Sequence, residues 1–244
     1  MIFRKKPREE HQAAEPDYQQ LVELTREQLI DAQLRSLRAQ ISPHFIYNSL
    51  NAIAGLIPSD PVRARELLVD FADFIRYSLG TEGDFTTLED ELSAVERYVL
   101  LEKARFGERL QVSLDIAPEV LGLKIPFLSV QPLVENAVRH GMYTTQGEGH
   151  VFVRAKDADT YAEISIEDDG VGADPEFMAK VMRGEADGSH VGLRNVDLRL
   201  RQAYGPGHGL HIETAQDAGM NVSMRIPKFK APARIITPVA GDSA

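Results

Sequence analysis

His44 and Asn48 stand four residues apart in the stretch from Gln40 to Asn51, which reads Gln-Ile-Ser-Pro-His-Phe-Ile-Tyr-Asn-Ser-Leu-Asn. On a helix that spacing puts an imidazole and an amide on one face. Upstream, Ile30, Leu34, Leu37 and Ile41 step by four and three, the seam of a coiled coil, and the next step of three lands on His44. An imidazole there is either a core histidine whose ring nitrogens are satisfied by neighbours or a group with chemistry to do. The stretch alone favours the first. Three further pieces carry potential chemistry: Glu135-Asn136, Asp168-x-Gly170-x-Gly172, and the glycines Gly188 and Gly192 ahead of an apolar helix pattern. Each alone has an ordinary structural reading: a solvated helix face, a strand-to-loop turn, a linker. There is no Gly-x-x-x-x-Gly-Lys-Ser/Thr loop, no His-Glu-x-x-His and no Gly-x-Ser-x-Gly.

The elements that must position these residues follow from periodicity. Residues 1–17 are polar, with Pro7 and Pro16, and read as a flexible tail. A first helix is expected from about Tyr18 to Leu56, kinked or opened just before His44 by Pro43, which has no amide hydrogen. The turn Pro58-Ser59-Asp60-Pro61 starts a second helix, with Leu67, Leu68, Phe71, Phe74, Ile75 and Leu79 expected on one side, ending at Gly80 to Gly83. One such hairpin buries only part of its apolar surface, so two are expected to form a four-helix bundle in a homodimer. Thr87 to Glu91 has a capping pattern for a helix to about Arg105, and Leu110 to Ile116 alternates as a half-buried strand. A helix around Val130 to His140 carries Glu135, Asn136, Arg139 and His140 on its polar face, with Gly141 as C-cap. Strands near 150–155 and 161–167 lead to the Asp168 turn. Residues 173–190, broken by Pro175, Gly184 and Gly188, read as a mobile loop with one short helix. A helix along Leu193, Val196, Leu200 and Ala203 precedes strands 210–214 and 221–226, and the residues after Pro227 read as a tail. The C-terminal half is thus a sheet with helices covering one face.

Composition narrows the classes. With 43% hydrophobic residues in a chain of 244, a real core is expected. The formal net charge of -10 opposes nucleic acid and anionic lipid, so no nucleic-acid partner is expected. The absence of cysteine excludes disulfides and thiolate metal sites. No apolar run approaches the roughly 20 residues that span a bilayer. The start, Met1-Ile2-Phe3-Arg4-Lys5-Lys6, has no apolar core behind it. These features predict a soluble, cytoplasmic chain, brought to a membrane only by a partner or by a sensor region outside it.

The order of the pieces is more specific than any one of them. The text Leu128-Ser129-Val130-Gln131-Pro132-Leu133-Val134-Glu135-Asn136-Ala137-Val138-Arg139-His140-Gly141, then the Asp168 turn, then Gly192-Leu193-Arg194-Asn195-Val196, resembles the ATP-binding domain of Bergerat-fold (GHKL) ATPases and histidine kinases. Specifically it is similar to the LytS-type sensor histidine kinases: the stretch Gln40 to Asn51 matches that family's phosphoacceptor box, and Glu102-Lys103-x-Arg105-Phe106 matches a further motif of the family. The resemblance covers about residues 30–228.

It implies an α+β fold: an N-terminal helical hairpin followed by a Bergerat-fold α/β sandwich. The domains expected are a tail at 1–17, a dimerisation and histidine phosphotransfer domain at 18–83, an ATP-binding catalytic domain at 84–228 and a tail at 229–244. By the resemblance, His44 is the phosphoacceptor, Asn48 orients the imidazole or a water, and Glu135 positions a metal-bound water or assists proton removal. Asn136 holds Mg²⁺ against the ATP phosphates, Asp168 accepts from the adenine amino group, and Gly170 and Gly172 let backbone pack close to the base. Gly188 and Gly192 let a lid close, with the amides at the next helix start, Leu193 among them, facing the phosphates. Arg139, His140 and Arg194 are further candidates for phosphate or metal contact. The implied partners are a response regulator, a second copy of the chain, and a separate sensor or membrane protein. Phe45 stands where many other histidine kinases have an acid. His190 replaces a lid glycine, and Met220-Asn221 follows Gly219 where a threonine is common. Two rival readings are an ATP-binding dimeric scaffold or pseudokinase, and an ATPase that makes no phosphohistidine.

Overall fold

Pro43 begins a helix rather than bending one. The computed structural model describes residues 42–80, 84–143, 147–185 and 191–229, all within one unit spanning 40–238. In it Ser42 is extended (φ -62°, ψ 121°) and Pro43 is the first residue of α1, Pro43–Leu56. At that position a missing amide hydrogen costs nothing, because the first amides of a helix have no partner within it. The expected continuous helix from Tyr18 is therefore interrupted at Ser42. The coiled-coil seam from Ile30 to Ile41 lies outside the described residues.

α1 buries Phe45, Ser49 and Ile53, a stripe of step four. Asp60 caps α2, Pro61–Ser78, by accepting from the Arg63 amide at 3.0 Å, with Pro61 at the first position. α2 buries Ala64, Leu67, Phe74 and Ser78, with Phe71 and Ile75 half-buried. Leu68 and Leu79, expected on the same side, are 49% and 41% exposed. They lie beside the buried stripe, and with Tyr47, Leu50, Ile57, Val62 and Val69 they leave the hairpin an apolar outer surface. Phe45 of α1 packs on Phe74 of α2 at 5.0 Å between ring centres and on Tyr98 at 5.1 Å.

Tyr98 belongs to α3, Leu88–Phe106, which opens with a reciprocal capping box between Thr87 and Asp90 and carries three acids in its first turn. Before it, β1, Phe85–Thr87, pairs antiparallel with β3, Lys124–Pro126. β2, Leu110–Ile116, is the edge of a five-stranded sheet and runs parallel to β4, Gly149–Ala158. Its Leu114, expected to face inward, is 41% exposed, as an edge position with cover on one side only allows. β5, Tyr161–Asp168, β7, Met220–Pro227, and β6, His211–Thr214, complete the sheet by antiparallel pairing in the spatial order β2-β4-β5-β7-β6.

The sheet has one dry face. Val153, Ala155, Ile164, Ile166, Val222 and Met224 are buried, while Arg154, Glu163, Glu167 and Arg225 alternate with them on the wetter side. Helices α4, Gln131–Tyr143, and α6, Val191–Tyr204, contribute the opposing apolar side chains Leu133, Val134, Ala137, Leu193, Val196 and Leu200. A short α5, Pro175–Arg183, precedes α6. This is the expected α/β sandwich with a helical hairpin ahead of it. α4 runs through Gly141, which is not its cap. Here the helix lies so close to the start of β4 that a Cβ on Gly149 would stand 3.3 Å from the Gly141 carbonyl. Close tertiary packing outweighs the glycine's weak helix preference. Among the described residues no helix is long and apolar enough to cross a membrane.

The packing makes Phe45, not His44, the residue on which the hairpin's stability depends. Phe45→Ala should cost about 3 kcal/mol in urea unfolding at fixed protein concentration, while His44→Ala should stay within about 0.5 kcal/mol.

Candidate functional site

The site is laid out along α4, and α4 is fixed from its start. Glu91 of α3, wholly buried, accepts from the amides of Leu128 at 2.6 Å, Val130 at 2.9 Å and Gln131 at 3.3 Å. It also accepts from the Tyr77 hydroxyl of α2 at 2.8 Å. Burial pushes the Glu91 carboxyl up, and these donors oppose that shift. On the other side Arg199 of α6 donates to the carbonyls of Phe127 and Leu128. Leu128 is thereby held at φ 56°, a left-handed conformation unusual for a branched side chain.

One turn into α4, Glu135 accepts from the Gln131 side-chain amide at 2.8 Å. Burial pushes its carboxyl up to about 7, Gln131 and Arg139 act in the opposite direction, and Glu102 of α3 adds to the rise. Glu102 is itself pushed up to about 7 by burial, with Arg105 lowering it. Its Oε2 lies 4.0 Å from Arg105 and has no hydrogen-bond partner. Asn136 is buried, and its Oδ1 accepts from Arg139 at 3.1 Å. The same Arg139 nitrogen lies 3.5 Å from His140 Nε2.

At the far end of α4 the chain meets the Asp168 loop. Asp168 is 5% exposed, and burial pushes it up to about 6 against the hydrogen bond it accepts from the Gly170 amide at 3.0 Å. A Cβ on Gly170 would stand 2.9 Å from the His140 carbonyl. Gly172, at φ 61°, has no room for a side chain, because a Cβ would stand 2.0 Å from the Ala215 carbonyl oxygen. Asp169 pins the loop to β4 through His150, accepting from its amide at 2.8 Å and lying 2.7 Å from its Nδ1.

The remaining predicted residues fall in three places. Gly192 sits in the first turn of α6, where a Cβ would be 3.7 Å from Pro132 Cβ at the start of α4, and Leu193 is buried beneath it. Arg194 turns back over Gly184, the left-handed cap of α5, with its Nε buried and without a hydrogen-bond partner. Gly188 and His190 lie outside the described residues. The segment read as a mobile loop contains α5, and its residues 186–190 are among those not described. His44 lies exposed on α1, with the Asn48 amide nitrogen 3.1 Å from its Nδ1 and 3.3 Å from its Nε2. The structure thus brings Glu135, Asn136, Arg139 and His140 together, and places the Gly170 turn at one end of α4 and Gly192 at the other.

The donor set fits Mg²⁺ and a nucleotide. Asn136 Oδ1 is a hard oxygen already facing a positive guanidinium, and Glu135 stands beside it. Among the described residues no group of three or more His, Cys, Asp or Glu could hold a metal. Mg²⁺ does not need one, since it is held by one or two protein oxygens together with waters and phosphates. The Gly170 and Gly172 turn, with Asp168 under it, is a cradle in which only backbone fits.

Sequence reasoning left Glu91, Glu102 and Gln131 without roles and used Gly219 only as a landmark. Gly219 has φ 72°, and a Cβ there would meet the Asp168 carbonyl oxygen at 2.1 Å. The available signal for the two acids was their place on α3's apolar stripe, Leu88, Leu92, Val95, Val99, where a charge is costly unless it is partnered.

Residues 32–110 match the family model described as histidine kinase, and residues 126–230 match that of histidine kinase-, DNA gyrase B-, and HSP90-like ATPases. The chain is 36% identical over 211 residues to the sensor histidine kinase YpdA of Escherichia coli (strain K12), covering 86% of this chain and 37% of that protein. It is 36% identical over 201 residues to the sensor protein LytS of Staphylococcus saprophyticus, covering 81% and 34%. Against the uncharacterized protein YwpD of Bacillus subtilis (strain 168) it is 37% identical over 205 residues, covering 83% and 72%. The chain spans about a third of the length of the two sensor proteins. With both regions matched in order, on a hairpin and a sandwich that hold the corresponding motifs, the chain belongs to the LytS-type sensor histidine kinases.

Proposed function

We propose that the chain is a histidine kinase core that phosphorylates its own His44 from Mg-ATP and passes the phosphoryl group to an aspartate of a response regulator. Residues 18–83 would form the dimerisation and phosphotransfer domain and residues 84–228 the catalytic domain. The observation that carries this reading is the placement of His44: its neighbour Phe45 is 7% exposed, and the imidazole itself is outside the core beside Asn48. The unprotonated ring nitrogen of a neutral imidazole forms the bond to the γ-phosphorus as the bond to ADP breaks, and the N–H proton on the opposite ring nitrogen passes to solvent, which His44 faces. Asn48 orients the ring for that attack. Mg²⁺ bound with the nucleotide would neutralise phosphate charge, with Asn136 as its protein oxygen. Glu135 positions a water or takes a proton beside it, and Arg139 and His140 face the phosphates once Arg139 leaves the Asn136 amide. Gly192 and Leu193 would form the closing side together with Gly188, which lies outside the described residues, and Arg194 would be the cation carried with it. The exposed apolar residues Tyr47, Leu50, Val62, Leu68 and Val69 support pairing of two hairpins in a homodimer. A separate sensor or membrane protein would supply the signal, with the chain itself on the cytoplasmic side.

Incubation of the full chain with γ-labelled ATP and Mg²⁺ tests this. Wild type should gain acid-labile label; His44→Gln should gain none, and Asn136→Ala or EDTA should lower the rate about 100-fold or more. An unlabelled wild type, or His44→Gln labelled as well as wild type, overturns the reading and leaves a scaffold or an ATPase.

Asp168 gives a pH test. Its folded value of about 6 lies above the ordinary 3.8, so the native state holds a proton that the unfolded chain releases between those values. Stability therefore falls as pH rises through that window and is flat above it. Asp168→Asn should be more stable than wild type by about 2 to 3 kcal/mol above pH 6, the gap closing toward pH 4 in thermal or urea unfolding. Adenine needs the ionised acceptor, so wild-type affinity for ATP should weaken below about pH 6. A pH-independent affinity would remove Asp168 from the base site.

A further inference from the structure

Gln131 is the first residue of α4 and is 1% exposed. Its side-chain nitrogen lies 2.8 Å from Glu135 Oε1 and 3.1 Å from Ser78 Oγ, so its two hydrogens reach two different helices. Ser78, the last residue of α2, is wholly buried, and its hydroxyl lies 3.4 Å from Gln131 Oε1. The residue before it, Tyr77, donates to Glu91, whose carboxylate holds the Gln131 backbone amide. The last turn of α2 therefore grips the first turn of α4 at two adjacent points.

We propose that Gln131 is a positioning residue for phosphoryl transfer, fixing the Glu135 carboxylate and tying its orientation to the last turn of α2 through Ser78. This rests on the reading of Glu135 as a residue of the reacting site. Three groups act on that carboxylate. Gln131 donates to it, Arg139 attracts it along α4, and Glu102 of α3, beside Arg105, repels it. With the Gln131 donor removed, the attraction left is that of Arg139, whose side chain is exposed, and the carboxylate turns toward it. Both Gln131 and Ser78 are buried, so neither has water to replace a lost partner. A shift of α2 against α4 that unmakes the Ser78 contact thus releases the amide that holds Glu135, which couples the hairpin carrying His44 to the catalytic helix.

The test uses the full chain, single-turnover labelling at saturating ATP, and a fluorescent ATP analogue for affinity. Gln131→Met should lower the labelling rate about 10-fold or more while the analogue's affinity stays within about 2-fold, because a misplaced group loses rate before binding. Ser78→Ala should lower the rate about 3-fold, and Ser78→Thr, which keeps the hydroxyl, should restore it. In a Glu135→Ala background, Gln131→Met should cause no further loss. Equal losses in both backgrounds, or a loss of affinity that accounts for the loss of rate, overturn the proposal in favour of a structural amide. A Ser78→Ala chain with full rate overturns the link to α2. If Glu135→Ala itself labels as fast as wild type, the role assigned to Glu135 fails, and the relay with it. The Ser78 pair decides the matter should Gln131→Met not fold.

Discussion

A carboxylate with no exposed surface would ordinarily be a liability, and Glu91 is tolerable only because its lone pairs are filled. Amides of Leu128, Val130 and Gln131 and the Tyr77 hydroxyl converge on it, from a loop, a helix start and a different helix. Removing one partner from such a group leaves a buried charge uncompensated, which typically costs 3 to 5 kcal/mol. The arrangement is therefore close to all-or-none. Arg199 closes it from the other side through the Phe127 and Leu128 carbonyls, and the attraction between Arg199 and Glu91 offsets part of the burial cost of the arginine. Between these two charges the 127–131 loop has one conformation, including the left-handed Leu128. Everything on α4, from Glu135 to His140, inherits its position from that clamp.

The opposite end of α4 is placed by exclusion rather than attraction. Gly149, Gly170, Gly172 and Gly219 stand where a Cβ would come within 3 Å of carbonyl oxygens or of Met142 sulfur. Backbone thus packs against backbone around Asp168, and the carboxylate is left with the Gly170 amide and little water. That explains why burial pushes Asp168 up to about 6 while Asp169, the next residue and exposed, is spent on His150. A base bound there would complete a polar group that burial has left under-solvated. The clamp at one end and the glycine turn at the other hold the Glu135–Asn136 cluster and the Asp168 loop at fixed separation along one helix.

What was legible in the sequence was local. The Asp60-Pro61 helix start, the Thr87–Asp90 box and the alternation of Ile164 and Ile166 depend on residues within a turn of one another, and the structure has each of them. What was not legible depends on partners far along the chain. Glu91 meets its amides 37 to 40 residues on, and Ser78 meets Gln131 53 residues on. Nothing in a periodic pattern names such a partner. The apolar pattern of α2 could not separate Leu67 from Leu68, because both fit a broad stripe and only α3's position decides which is covered. Gly141 looked like a helix end because glycine usually is one, and the proximity of Gly149 kept the helix going. The motif residues themselves were readable as types, but their convergence on α4 is a property of the fold.

His44 shows how position and chemistry were confused at the level of pattern. The four-three seam carries on to residue 44, which predicts a residue facing a helix partner. The structure has Ser42 extended before Pro43, so α1 starts a helical phase of its own. The new helix turns Phe45 inward to Phe74 and Tyr98, and the imidazole, about 100° around the helix from it, is turned outward. An acid at position 45 could not take that place without burying a charge against the rings of Phe74 and Tyr98. The aromatic residue therefore does two things at once: it anchors the start of α1 to α3, and it sets the direction in which His44 is presented. Proline, phenylalanine and asparagine around the histidine are then one device, in which the first starts the helix, the second fixes its rotation and the third holds the ring.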